Sequence, residues 1–378
     1  MPDRSGEGAA FGAEVAAALP RAGGALDVWR ALGSAGILNR LHAADAADAG
    51  PGLNRRLLDE LLAELDARLP VGLVLSVCVQ VATVIPLLQD LARRSRAAAA
   101  VLAETLRGEV IVALAVTDAA AAGSDLLDAQ TRIRTTPEAW FLEGRKTWIT
   151  NAGHCDYVLV LARHRAERHF TSFQWVLLPS ATPGVSAEPA ASELFAGSAV
   201  GHLAFDGVRL EPEHVVGAPG RGLVQFARHI STERLAGALW GRSLCRRVLA
   251  DTRAYLARRQ LDGASQWENA AIRERFARCL VELRCLDALC ALERDDRPAR
   301  AHAPGPSTEA MLLKAACAER VERILAECVS LRGADAFRDG GEARLRAEAA
   351  MFGIAGGATG ALLAGIAEHA DDMLDGGR

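Results

Sequence analysis

Aromatic residues are scarce in this 378-residue chain, at 5% with only two tyrosines, while half of the residues are apolar. A composition poor in rings and dominated by alanine and leucine suits helices packed on helices. Paired cysteine motifs are missing too. The eight cysteines, at 78, 155, 245, 279, 285, 290, 317 and 328, form no CxxC pair and have no histidine at ligand spacing. That excludes a zinc ribbon and a thioredoxin-type centre, so no metal is expected and the thiols read as reduced core residues. There is no excess of positive charge: a net charge of −4 leaves nucleic acid without an electrostatic footprint. The arginines of 253–259 alternate with apolar residues and read as a solvated helix face. No internal repeat is visible. The polar residues 1–8 lack the basic-then-apolar order of an export signal, and a cytoplasmic protein is expected.

Long uncharged runs are equally rare. The one present, 71–88, is nearly long enough to span a bilayer. Ser76, Gln80, Thr83 and Pro86 interrupt it, Asp90 follows it closely, and there is no second run. We read it as a buried helix of a large core and expect no membrane.

The pattern along the chain changes twice. Apolar residues recur at three-and-four spacing in 26–38 and 54–67, with Pro51-Gly52 as punctuation, so residues 1–112 form an N-terminal helical domain. Between 113 and 220 the period becomes two. Strands are expected at 140–142, 146–150, 157–162, 171–178 and 201–210, in a small β-barrel-like middle domain. The helical period returns in 221–378, with candidate helices at 223–260, 266–293, 308–332 and 341–370. These make a C-terminal four-helix bundle, and 294–306 is an exposed connection. The fold class is therefore mostly α with a central β domain.

The most informative stretch is 114–157. In AVTDAAAAGSD (115–125), Thr117 and Ser124 flank a loop of small residues; in GRKTWITNAG (144–153), Trp148 stands near Thr150 before an Asn-Ala-Gly turn. Small residues let backbone N–H groups approach a ligand, hydroxyls satisfy ring heteroatoms or phosphate, and an indole offers a stacking face. Read from the residues alone, these are either ordinary turns or a cradle for a planar polar cofactor.

Taken together, Val116-Thr117-Asp118, Gly123-Ser124-Asp125 and Gly144 to Asn151 resemble the acyl-CoA dehydrogenase family, where a segment like EPxAGSD precedes one like GxKxWITN. Glu233-Arg234-Leu235, Tyr255 to Arg259 with Gly263, and Leu331-Arg332-Gly333 continue the resemblance over nearly the whole chain, in the family's order. It implies bound FAD, with Val116, Thr117, Gly123, Ser124, Trp148 and Thr150 at the flavin. Arg259 would stand at the pyrophosphate of a neighbouring subunit, and Gly333 and Gly357 complete the cofactor set. Departures cluster at the adenine end: Asp262-Gly263 replaces an FG pair, Ala270 stands near a usual glutamine, and Gly333-Ala334 replaces a double glycine.

Oxidising an acyl thioester between Cα and Cβ needs a base for the Cα proton and an acceptor for the Cβ hydride, which no side chain can be. Many family members carry the base as a glutamate in a C-terminal turn. That position falls here on Gly356 or Gly357. Other members carry it on the first helix of the bundle in an ERL-like context, which makes Glu233 the candidate. A glutamate near a helix start also favours the helix dipole, so both roles stay open. His154 and His229 lie nearest the motifs. The resemblance implies α,β-dehydrogenation of a thioester on CoA or an acyl carrier protein. It further implies an electron-transferring flavoprotein or similar acceptor, and a homodimer or homotetramer. The missing C-terminal glutamate leaves two rivals: a flavin-dependent monooxygenase on the same scaffold, and a non-catalytic partner subunit.

Overall fold

A computed structural model describes residues 4–43, 52–119, 125–294 and 308–375. The chain divides into two units, one built mainly from Met1–Leu61 and Gly72–Glu233, the other from Leu62–Val71 and the chain from Arg234 onward. In the first unit the helices Arg4–Ala18, Ala25–Ser34 and Ile37–Leu41 precede the apolar run. The second of them ends before Gly36, whose φ of 71° breaks the helical path expected through residue 38.

The run itself is one continuous helical rod, Val71–Ala92, long and apolar enough by composition to cross a membrane yet 89% buried inside the protein. Its middle, Gln80–Val84, is a π turn in which the Ile85 N–H donates to the Gln80 carbonyl. Pro86 explains the widening: it has no N–H to give, and its ring crowds the carbonyl four residues back. The Gln80 amide bonds both the N–H and the carbonyl of Val112, fixing the rod to the sheet.

That sheet has eight strands: β1 (Val112–Ala115), β2 (Arg132–Thr135), β3 (Trp140–Ile149), β4 (Tyr157–Arg163), β5 (Phe173–Pro179), β6 (Val185–Pro189), β7 (Gly201–Leu210) and β8 (Val215–Val216). Their order is β6-β7-β3-β2-β4-β5-β8, with β1 beside β4. It is not the barrel-like closure expected. β8 holds two residues and β6 is largely exposed, so among the described residues the edges do not meet. The stretches 140–142 and 146–150 form one strand instead of two. β3 absorbs its irregular pattern as register shifts between Leu142 and Gly144 and between Lys146 and Ile149. Leu159, Leu161, Phe173, Trp175 and Leu177 face a core completed by Val84, Leu87, Leu88 and Leu91 of the rod.

One topological detail positions the site. β1 and β2 both run parallel to β4, β1 pairing along Tyr157–Val160 and β2 meeting Arg163. The chain therefore leaves the sheet after Ala115 and rejoins the same edge at Arg132.

In the second unit, helix Ala270–Arg294 runs antiparallel to Thr308–Arg332, as the Arg275–Glu327 and Arg323–Glu282 pairs show. The long helix Gly222–Arg258 reaches into the same unit, and Gly241 lets its backbone approach Thr308–Arg332: a Cβ there would lie 2.8 Å from Cys317 Sγ. The expected fourth helix, 341–370, is broken into Glu342–Ala349, a 3-10 turn Ala350–Gly353, Thr359–Ala367 and Ala370–Leu374. Gly356 and Gly357, at φ 71° and 107°, sit in the left-handed region and stop it. Seven cysteines are buried and Cys285 is exposed.

Candidate active site

A buried ion pair ties β3 to the segment that follows β1. Lys146 is fully buried in β3; its Nζ donates to the Val116 carbonyl at 2.9 Å and lies 3.4 Å from Asp118 Oδ2. Burial pulls the lysine down to about 8 against the opposing pull of Asp118. Asp118 also accepts the Thr131 N–H at 2.8 Å, tying the far end of the loop back. The Thr147 N–H donates to the Thr117 carbonyl and the Ala119 N–H to the Arg145 carbonyl. Val116 and Thr117 thus present a fixed main chain beside β3. Gly123 and Ser124 lie outside the described residues.

At the second register shift Trp148 takes φ 56°, which a bulky residue rarely adopts. Trp148 is 59% exposed, its ring edge-on to His202 at 5.7 Å, and its backbone N–H donates to His202 Nδ1. An exposed ring kept in a costly backbone conformation makes Trp148 a candidate ligand surface. Two residues on, Thr150 is half-buried and Asn151, at φ 68°, is fully buried. The Asn151 amide accepts from Ser76 Oγ at 2.6 Å, donates to the Ser76 carbonyl and contacts His154 Nε2 at 2.9 Å. This knot pins the end of β3 to the buried rod. His154 serves that knot, and His229 faces Asp90 at 3.8 Å.

Glu233 lies against the same rod. Thr83, in the π turn, donates its Oγ1–H to Glu233 Oε2 at 2.8 Å. Burial, with the Glu233 charge adding, pushes the Cys78 thiol up to about 12, so the thiol stays neutral at working pH. The carboxylate is thus met by a hydroxyl and a neutral thiol from the buried rod.

The second unit brings together two of the other expected residues and sets the third apart. Arg259 is exposed and lies 3.9 Å from Asp335, just past Gly333, which caps its helix at φ 58°. Tyr255 bonds Asp335 at 2.7 Å and holds its carboxyl below the usual range, aided by Arg338 and Arg259. Gly357 belongs to a different feature. Arg234 Nε donates to the Gly356 carbonyl at 3.0 Å and Lys314 Nζ to the Gly357 carbonyl at 2.6 Å, both from buried side chains. The turn that carries a glutamate in many family members is here a double glycine facing two cations.

The sequence reading missed the Asp118–Lys146 pair, Asn151, Thr83 and Lys314. A signal existed for Lys146: it shares the inward register of Leu142 on β3, where a lysine needs a buried partner. None existed for Thr83, whose partner is 150 residues away.

Residues 113–208 match the acyl-CoA dehydrogenase middle domain and residues 220–370 the acyl-CoA dehydrogenase C-terminal domain. The chain belongs to the acyl-CoA dehydrogenase family. It is 27% identical over 216 residues to the mitochondrial short-chain specific acyl-CoA dehydrogenase of Bos taurus, covering 56% of this chain and 51% of that one. To an acyl-CoA dehydrogenase of Mycobacterium tuberculosis it is 29% identical over 193 residues, covering 51% and 48%. The match thus spans about half the length of these relatives. Its fold is that of glutaryl-CoA dehydrogenase from Mycobacterium smegmatis in complex with FADH2 (TM-score 0.83, 21% identity, covering 98% of this chain and 95% of that one). PigA with FAD and proline is as close in shape, with TM-score 0.83, 17% identity and 98% of each chain covered.

Proposed function

We propose that this acyl-CoA dehydrogenase family member is an FAD-dependent oxidoreductase that removes hydrogens from Cα and Cβ of an acyl thioester, with Glu233 as the Cα base. The observation that carries the reading is the Thr83–Glu233 contact: the carboxylate at a position where some family members carry the base accepts a hydrogen bond from a hydroxyl of the buried rod. The residues at the cradle fit a flavin. Trp148 offers a flat apolar surface, and the Lys146–Asp118 pair holds the Val116–Thr117 main chain still beside it. FAD, when bound, supplies the hydride acceptor that side chains lack. Glu233 takes the Cα proton onto a carboxylate oxygen, and Thr83 fixes which way that carboxylate faces. The apolar rod excludes water from the proton's path.

The thioester handle is CoA or an acyl carrier protein. The dehydrogenase relatives support the first; PigA, solved with FAD and proline, shows that the shape also accompanies an amino-acid ligand. We assign the reoxidation of the flavin to an electron-transferring flavoprotein or similar acceptor. The assembly is proposed as a cytoplasmic homo-oligomer in which Arg259 and Gly333 serve the far end of the cofactor.

Anaerobic addition of acyl thioesters tests this reading. Wild type carries a flavin spectrum that bleaches promptly, and Glu233→Gln keeps the spectrum but does not bleach. A colourless protein that takes up no added FAD defeats the cofactor assignment, and unchanged bleaching in Glu233→Gln places the base elsewhere.

A further inference from the structure

We propose that Thr83 is a positioning residue for the base: its hydroxyl, presented by the π turn of the buried rod, orients the Glu233 carboxylate and stabilises its charged form. The inference rests on the assignment of Glu233 as base and adds the device that tunes it.

The geometry is specific. Thr83 Oγ1 lies 2.8 Å from Glu233 Oε2, and Thr83 is itself fully buried, so its hydroxyl has no water to turn to. The rod is apolar on all sides, and each polar side chain in it has a defined partner. Ser76 holds Asn151, Gln80 holds Val112, and Thr83 holds Glu233. The first two fasten the rod to the sheet. Thr83 alone among them points at a candidate catalytic group.

The π turn matters to that aim. One extra residue in a turn advances the following side chains by about 100° around the axis. Thr83 sits inside the widened segment, which the absent N–H of Pro86 favours. Cys78, also on the rod, is neutral. On the helix of Glu233 itself, His229 one turn earlier faces Asp90, and Arg234 directs Nε to the Gly356 carbonyl. A hydroxyl that donates to a carboxylate favours the ionised form, so removing it makes the carboxylate hold its proton to higher pH.

Thr83→Val, Thr83→Ser and Glu233→Gln test this together. Valine keeps the shape and removes the donor; serine keeps the donor. In Thr83→Val the acid limb of the pH profile for thioester-driven bleaching moves upward by about one pH unit, and Thr83→Ser stays with wild type. A second readout needs no turnover: the carboxyl band of Glu233, isolated as the infrared difference between wild type and Glu233→Gln, titrates higher in Thr83→Val by the same amount. An unmoved acid limb and an unmoved band overturn the proposal while leaving Glu233 as base. So does a serine variant that behaves like valine. Full bleaching in Glu233→Gln overturns the assignment beneath it, whatever Thr83 does.

Discussion

Replacing Lys146 by methionine separates what holds the cradle from what fills it. Methionine keeps the length and apolar stem of the side chain, so packing changes little. Two things are lost: the donor to the Val116 carbonyl at 2.9 Å and the cation facing Asp118 at 3.4 Å. Asp118 is 5% exposed, and a buried carboxylate deprived of its counter-charge is expected to cost about 3–5 kcal/mol. Against this, burial of the lysine charge already opposes folding, as its fall from 10.5 to about 8 shows. Lys146→Met/Asp118→Asn removes both charges while leaving an acceptor for the Thr131 N–H, so the double variant should lie within about 2 kcal/mol of wild type. Urea denaturation of the four proteins gives the cycle, and FAD affinity is read on the same samples. Lys146→Met and the double variant should both bind FAD more weakly than wild type, since neither restores the bond to the Val116 carbonyl. If the two single costs add to within about 0.5 kcal/mol, the pair is not coupled and the account of the cradle is wrong.

His42 is buried, and among the described residues neither ring nitrogen has a hydrogen-bond partner; burial lowers it from 6.5 to about 3. The unfolded chain takes up a proton below pH 6.5 and the folded one only near 3. This group's stability is therefore complete above 6.5 and lost as pH falls, by about 2 kcal/mol between pH 7.5 and 5. His42→Leu should flatten that part of the stability–pH curve, and an unchanged slope refutes the assignment. Trp148→Asn, which suits φ 56°, should change stability by less than about 1 kcal/mol but speed FAD loss, followed by flavin fluorescence; unaltered retention removes the indole from the site. Gly357→Ala forces a side chain into φ 107° and should cost about 1–3 kcal/mol in denaturant, a neutral result showing that the turn relaxes.

What the residues disclosed and what they hid follow one physical line. Local pattern was readable wherever a single period governed it: 201–210 is strand β7 without a residue's difference, and 308–332 is a helix with the expected ends. It failed where long-range packing decides. The 341–370 helix gives way to a 3-10 turn at Ala350–Gly353 and stops at Gly356 and Gly357, whose carbonyls accept from Arg234 and Lys314, far off in the sequence. At the site, Trp148 and Glu233 were legible as types in a motif. Their geometry was not: one depends on a register shift in β3, the other on a π turn set by Pro86.

The turn at 356–357 is also a poor place for a base on electrostatic grounds. A carboxylate at 356 or 357 would share its turn with Arg234 and Lys314, whose charges favour its ionised form and blunt it as a proton acceptor. Those cations instead donate hydrogen bonds to two carbonyls at a helix break, a structural duty that a double glycine permits. On the rod, Glu233 meets the Thr83 hydroxyl and the neutral Cys78 thiol. It follows that placing glutamate at 357 in the Glu233→Gln protein should not restore bleaching, although the new carboxylate occupies a position the family uses. Recovery of bleaching in that double variant would show that the cations at the turn do not govern where the base can work.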